Sequence, residues 1–208
     1  MALDLVLLGP PGSGKGTQAV RLTEHYRIPA IATGDILRAQ VEAGTPQGQR
    51  VRSYLDRGEL VPDQLVVDII RHRLSEPDTE AGFILDGFPR TVPQAQALDA
   101  MLAELQRPLD AVLYLQVDRQ ALLDRLGQRH RQDDRPDIAD HRIDVFLDQT
   151  APLIGYYRDE GKLRLIDGSR PHELVAGGVH APRLRGADVR QATDERRARG
   201  TGVLPCPR

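Results

Sequence analysis

Gly9-Pro10-Pro11-Gly12-Ser13-Gly14-Lys15-Gly16-Thr17 stands between the apolar run Leu3–Leu8 and an amphipathic stretch, and it restricts the fold more than any other segment. A strand that passes through a glycine-rich turn into a helix is the setting of a phosphate loop. Glycines let the backbone wrap with its N–H groups turned inward, without Cβ clashes. The helix N-terminus adds partial positive charge where phosphates sit. Lys15 supplies a compact ammonium to the β/γ-phosphates. Of 28 basic residues only two are lysines, Lys15 and Lys162. A lysine in this loop, where a planar guanidinium fits less well, is therefore a matter of chemistry. The stretch departs from the strict GxxxxGK[ST] form in placing Gly16 before Thr17. A glycine-rich turn that binds nothing would need both the spacing and the context to coincide by accident.

Apolar runs with β-branched residues alternate with longer amphipathic stretches, and no internal repeat interrupts them. Leu3–Leu8, Ile28–Ala32, Phe83–Leu85, Ala111–Val117 and Lys162–Ile166 read as strands. Thr17–Tyr26, Asp35–Glu42, Asp63–Leu74, Pro93–Gln106, Gln120–Arg129 and Asp137–Arg158 read as helices. This alternation predicts an α/β fold with a parallel sheet and helices on its faces. The nearly continuous apolar character of Leu3–Leu8 and Ala111–Val117 marks central strands.

The 208 residues, 40% hydrophobic and 28% charged, suffice for a packed core. A net charge of -2 gives no electrostatic case for binding nucleic acid. A single cysteine, Cys206, excludes an intramolecular disulfide framework and a multi-thiolate zinc site. A reduced, cytoplasmic setting follows from it. The N-terminus lacks the basic region of a signal peptide, and its apolar run is too short to span a membrane. From Ala176 to Arg208, seven arginines, five glycines and three prolines leave no helical or strand period. This tail is expected to be mostly disordered, with a short helix around Asp188–Arg199 as the alternative, and to stand apart from a single domain over residues 1–175.

Two further segments carry arginine just beyond a strand's carboxyl end, where ligands gather in open α/β sheets. Arg38 lies one turn into the helix after Thr33-Gly34-Asp35. Arg90 closes Asp86-Gly87-Phe88-Pro89-Arg90, with Gln94 four residues on. Arginine clamps phosphate bidentately, and Asp86 is suited to the neighbourhood of Mg²⁺. A solvated helix face for Arg38 and an ordinary strand-end turn for Asp86-Gly87 are the alternatives. A phosphate loop on the same sheet edge weakens both.

With these motifs in order, the chain resembles the adenylate kinases of the nucleoside-monophosphate kinase family, in a short-lid form. The resemblance rests on GPPGSGKGT, TGDILR, GELVPD (Gly58 to Asp63), DGFPRTVPQ (Asp86 to Gln94), RQDD (Arg131 to Asp134), QTAPLIGYY (Gln149 to Tyr157) and IDGSR (Ile166 to Arg170). It covers about residues 3–175 and stops before the tail, which is unlike the family's closing helix. It implies a P-loop NTPase-like, five-stranded parallel sheet flanked by helices. It also implies a helical monophosphate-binding insert at about 32–61 and a very short lid at about 128–134.

The resemblance further implies phosphoryl transfer between Mg-ATP and AMP to give two ADP, by a monomer. Gly12, Ser13, Gly14, Lys15, Gly16 and Thr17 would bind the ATP phosphates, joined by Arg129, with Arg170 at the ATP adenine. Thr33 and Gln94 would lie against the AMP adenine. Arg38 and Arg90 would hold the AMP phosphate, with Arg131 and Arg142. Glu59, Leu60 and Val61 would line the AMP pocket, and Gly87, Phe88, Pro89 and Arg90 its floor. Lys15, Arg90, Arg125, Arg131 and Arg142 would surround the transferring phosphoryl group, and Asp86 would order Mg²⁺ through water. Relatives often carry lysine where Glu59 stands, so a carboxylate here faces an anion. Only His130 separates Arg129 from Arg131, and the lid holds no cysteine for the structural zinc of some long-lid relatives. A UMP/CMP kinase of the same family is one rival, against which Thr33, Thr91 and Gln94 argue for adenine. An inactive nucleotide-binding protein is the other.

Overall fold

The computed structural model describes residues 2–128 and 136–169. The expected lid residues Arg129, His130 and Arg131, the ATP-site Arg170 and the tail 176–208 lie outside the described residues. Five strands, β1 (Leu3–Leu8), β2 (Ala30–Ala32), β3 (Gly82–Asp86), β4 (Ala111–Gln116) and β5 (Leu163–Asp167), form one sheet in the order β2-β3-β1-β4-β5. All neighbouring pairs are parallel, with Leu5 opposite both Ile84 and Ala111 and Val112 opposite Leu163. The two continuous apolar runs, β1 and β4, sit inside the sheet and are buried on both faces, as such runs must be.

The strand period of two divides the core. Leu5, Leu7, Ile84, Leu113 and Leu115 pack on one face with Ala19 and Leu22 of α1 (Lys15–Tyr26). Val6, Leu8, Phe83, Leu85, Val112 and Tyr114 point to the other. That face is covered by Ile70 and Leu74 of α4 (Asp63–Leu74), Leu98 and Met101 of α5 (Val92–Glu104), and Leu153, Ile154 and Tyr157 of α8 (Pro152–Asp159). Between β2 and α4 the chain leaves the sheet to build α2 (Thr33–Glu42) and α3 (Pro46–Arg57). After β4 come α6 (Arg119–Gly127) and α7 (Pro136–Val145).

Between Glu42 and Asp63 the apolar spacing marks no helix, while the resemblance implies a helical insert over about 32–61; α3 lies there. Its stripe is short, with only Val51 buried among its apolar side chains and Tyr54 and Leu55 packed partly against the core. The terminal signals were present. The Thr45 hydroxyl caps Gly48 N–H, Pro46 stands in the first turn, and Gly58 ends the helix at φ 72°. Gly48 weakens helix propensity but is required, because a Cβ there would lie 2.0 Å from the Gln40 carbonyl oxygen of α2. The single helix expected over Asp137–Arg158 is instead α7, a π-helical turn over Phe146–Thr150, and α8. Ala151 N–H donates five residues back to Phe146, and Pro152, lacking an N–H, follows at once.

At the amino end of the sheet, Asp4 is 1% exposed and is gripped by both Nε and a terminal nitrogen of Arg107. Burial raises the Asp4 carboxyl above the usual carboxylate range, and Arg107 offsets part of that effect. Arg107→Ala would leave the carboxylate buried and unpaired. It should cost about 3–5 kcal/mol in urea unfolding at neutral pH. Ligand affinity at the carboxyl end of the sheet should be unchanged in the fraction that folds.

Candidate functional site at the carboxyl end of the sheet

β1 lies mid-sheet, with the chain passing from it to β2 on one side and from β4 to β5 on the other. The loop after β1 therefore opens at the crevice where open α/β sheets bind ligands. Gly12 has φ 81°, and a Cβ there would meet the Leu122 carbonyl oxygen at 2.9 Å and the Leu126 side chain at 3.0 Å. The loop thus rests directly on α6. Gly14, at φ 94°, is the residue before α1. Lys15 opens that helix and turns back over the loop, its Nζ donating to the carbonyl oxygens of Gly9 (2.8 Å) and Pro10 (3.0 Å). The ammonium is so held beside the N–H groups that a helix's first turn leaves without intrahelical partners.

Two clefts adjoin this loop. One is lined by Gly9, Pro11 and Lys15 together with Pro89, Val145, Phe146 and Thr150. The π-helical turn thus contributes two of its walls. The other lies under α2 and α3 and is lined by Thr33, Arg38, Glu59, Val61 and Gln94 among others. Gly58, Leu60, Gly87, Arg90 and Arg142 line both, so the two guanidinium-bearing side chains stand at the junction. Arg90 is steadied there by Nε donating to the Gly87 carbonyl oxygen at 2.9 Å. Asp86, at the end of β3, faces the start of α1, with Oδ2 3.8 Å from the position of a Cβ on Gly16.

The second cleft is ordered by hydrogen bonds. Gln94, 1% exposed, accepts at Oε1 from Arg90 N–H (2.8 Å) and donates from Nε2 to Asp63 Oδ1 (2.7 Å). The Thr91 hydroxyl donates to Asp63 Oδ2 at 2.9 Å and accepts from Gln94 N–H at 3.3 Å. Thr33 Oγ1 is buried with no partner and its residue lines the cleft. Such an orphaned hydroxyl is costly unless a ligand meets it. Arg38, on the same helix as Thr33, makes an ion pair with Asp35. Arg57 closes on the Glu59 carboxylate through two bonds of 2.9 and 2.8 Å, which hold that carboxyl below the usual range. The negative charge of Glu59 is therefore already matched by a neighbour.

Not every expected residue comes to the junction. Phe88 is wholly buried in the main core, and its side chain lines neither cleft. Arg125 donates to the Gly168 carbonyl oxygen at 2.9 Å, on the β5 side of the phosphate loop, and does not line the junction. Residues the motif reading passed over are Gly58 and Asp63. Both were visible only as the ends of GELVPD, because their work is done on other side chains.

A family model described as adenylate kinase matches residues 7–162. The chain belongs to the adenylate kinase family. An adenylate kinase of Methylorubrum populi is 51% identical to it over 187 residues, covering 85% of this chain and 94% of the relative. One from a Caulobacter species is 49% identical over 183 residues, covering 86% and 97%. One from Methanosarcina acetivorans is 43% identical over 203 residues, covering 83% and 94%.

As in any adenylate kinase, phosphate-binding and acceptor-binding parts must meet, and here Gly58 is where α3 reaches α7. A Cβ on Gly58 would lie 2.7 Å from Arg142 Cγ and 3.1 Å from Ile138 Cγ2, at a backbone φ of 72° that disfavours side chains. Gly58→Ala should displace Arg142 and lower phosphotransferase turnover by up to about 10²-fold, the scale of an ångström misplacement. A coupled assay of ADP formation, read beside a thermal melt to account for lost stability, checks this.

Proposed function

We propose that the chain catalyses Mg-ATP + AMP ⇌ 2 ADP, with ATP phosphates on the loop of Lys15 and AMP in the cleft of Thr33 and Gln94. The observation that carries the reading is the pair of clefts sharing Arg90 and Arg142, one walled by Lys15 and the other by Gln94. A phosphate entering from each side would meet at these two cations. An AMP phosphate oxygen attacks the γ-phosphorus in line, the bond from that phosphorus to the bridging oxygen breaks, and ADP leaves carrying the electron pair. The nucleophile is already anionic, so no general base is needed. Positioning and charge stabilisation supply the acceleration.

In this reading the loop from Gly12 to Thr17 holds the ATP phosphates and Lys15 neutralises charge on the γ-phosphate. Arg38, with Arg90 and Arg142, fixes the AMP phosphate. Arg129, Arg131 and Arg170 are assigned by the family pattern alone. Arg125 joins the phosphoryl group only if its guanidinium leaves Gly168. Mg²⁺ arrives with ATP. Among the described residues no cluster of three His, Cys, Asp or Glu side chains is placed to hold a metal alone. One carboxylate beside the phosphate loop, Asp86, suits an ion otherwise bound by substrate phosphates and water. That ion would supply charge neutralisation on the transferring group. The helical insert over about 32–61 and the short lid over about 128–134 would close over AMP and ATP and exclude water.

Adenine, rather than a pyrimidine, is favoured as the acceptor base by the Gln94 amide and the unpartnered Thr33 hydroxyl in one cleft. We further infer a monomer acting in the cytoplasm, in keeping with its near-neutral charge and single cysteine. No helix among the described residues is long and apolar enough to cross a membrane.

Lys15→Arg keeps the charge but not the geometry, and should lower turnover by about 10²-fold or more. Rates near wild type would remove the phosphate-loop assignment. Gln94→Ala should raise the KM for AMP by the equivalent of about 1–3 kcal/mol and leave that for ATP almost unchanged. Equal rises in both would mean that Gln94 does not serve the monophosphate.

A further inference from the structure

The Gln94 amide is held in one polarity by two partners that cannot exchange roles. An ionised carboxylate only accepts and a backbone N–H only donates. Asp63 therefore takes Nε2 and Arg90 N–H takes Oε1. Turning the amide over would set Oε1 against a carboxylate and the NH₂ group against an N–H donor. The carboxylate is itself held, since Asp63 opens α4 and receives the Thr91 hydroxyl on its second oxygen. An amide has two donor hydrogens and two acceptor lone pairs, so one of each remains for whatever occupies the cleft.

A purine reads this polarity at its six-position edge. Adenine presents an amino donor beside the N1 acceptor. A 6-oxo purine such as hypoxanthine presents an oxygen acceptor beside an N1–H donor. The same glutamine matches one with its amide in one sense and the other only when the amide is reversed. We propose that Asp63 is a positioning residue for base selection, fixing the Gln94 amide so that the cleft accepts 6-amino purine monophosphates and rejects 6-oxo ones. This rests on the reading that Gln94 faces the base of the monophosphate. It also gives GELVPD a chemical reason to end in a carboxylate: Asp63 touches the base-reading side chain and not the base.

The consequence is a preference set by an unpaired-group penalty, which discriminates more strongly than shape alone. A site built around fixed polar groups leaves them facing their own kind when the wrong partner enters. IMP is the suitable probe, because it differs from AMP at this edge and lacks the 2-amino group that would add a steric objection in GMP.

The experiment measures kcat/KM for AMP and for IMP, with Mg-ATP as donor, in the wild type, Asp63→Asn, Asp63→Glu and Gln94→Ala. Asparagine has the size of aspartate, yet it can either accept from Nε2 or donate to Oε1. Asp63→Asn should lower the AMP:IMP ratio by about tenfold or more, the equivalent of one lost charge-assisted hydrogen bond. The KM for ATP should be unaffected. Asp63→Glu, which keeps an acceptor-only group, should retain most of the preference. Because both substrates are compared in one preparation, the ratio is independent of the fraction that folds. An unchanged ratio in Asp63→Asn, with the AMP KM raised in Gln94→Ala, would overturn the role of Asp63 and leave the site standing. An unchanged AMP KM in Gln94→Ala would overturn the reading of the cleft and the proposal with it.

Discussion

The contact on which the rest of the site depends is that of the Gly12 backbone with α6. A Cβ there would meet the Leu122 carbonyl oxygen at 2.9 Å, at a φ of 81° that only glycine adopts readily. The contact lets the loop after β1 fold down onto the carboxyl end of the sheet. The first turn of α1 then points its N–H groups at the mouth of the crevice, and Lys15 folds back onto the Gly9 and Pro10 carbonyls. One backbone bend thereby sets the place of a charge, a dipole and the floor of a cleft.

The second cleft is assembled differently. Its walls come from α2, from the turn after α3 and from the segments after β3, so it exists only where separate elements converge. Two close approaches hold it together. Gly48 lets α3 lie against the Gln40 carbonyl of α2, and Gly58 lets the end of α3 meet Arg142 of α7. The hydrogen-bonded set of Asp63, Thr91, Gln94 and the Arg90 N–H gives the far wall its fixed polarity. Polar groups so deeply placed are tolerated because each has a partner of the right kind.

At the opposite end of the sheet the same requirement is met without a ligand. Asp4 is as buried as Gln94, and Arg107 answers it within the chain as Asp63 and the Arg90 N–H answer Gln94. Thr33, by contrast, keeps an orphaned hydroxyl in a cleft.

The alternation of apolar runs with amphipathic stretches was enough to specify the parallel sheet, its central strands and most of its helices. That information is local, because the period of two or of 3.6 is written in neighbouring residues. The loop around Lys15 was legible for the same reason. The split of the helix expected over Asp137–Arg158 was not, since a π-helical turn shows no period of its own before Pro152. Nor was α3, where a short stripe hid a helix whose caps at Thr45 and Gly58 were in plain view. Tertiary structure alone decided that Phe88 turns into the core and that Arg125 rests on Gly168. It alone brought Asp63 to Gln94, 31 positions apart. A side chain's partners across such a distance are set by how helices pack, and no spacing along the chain records them.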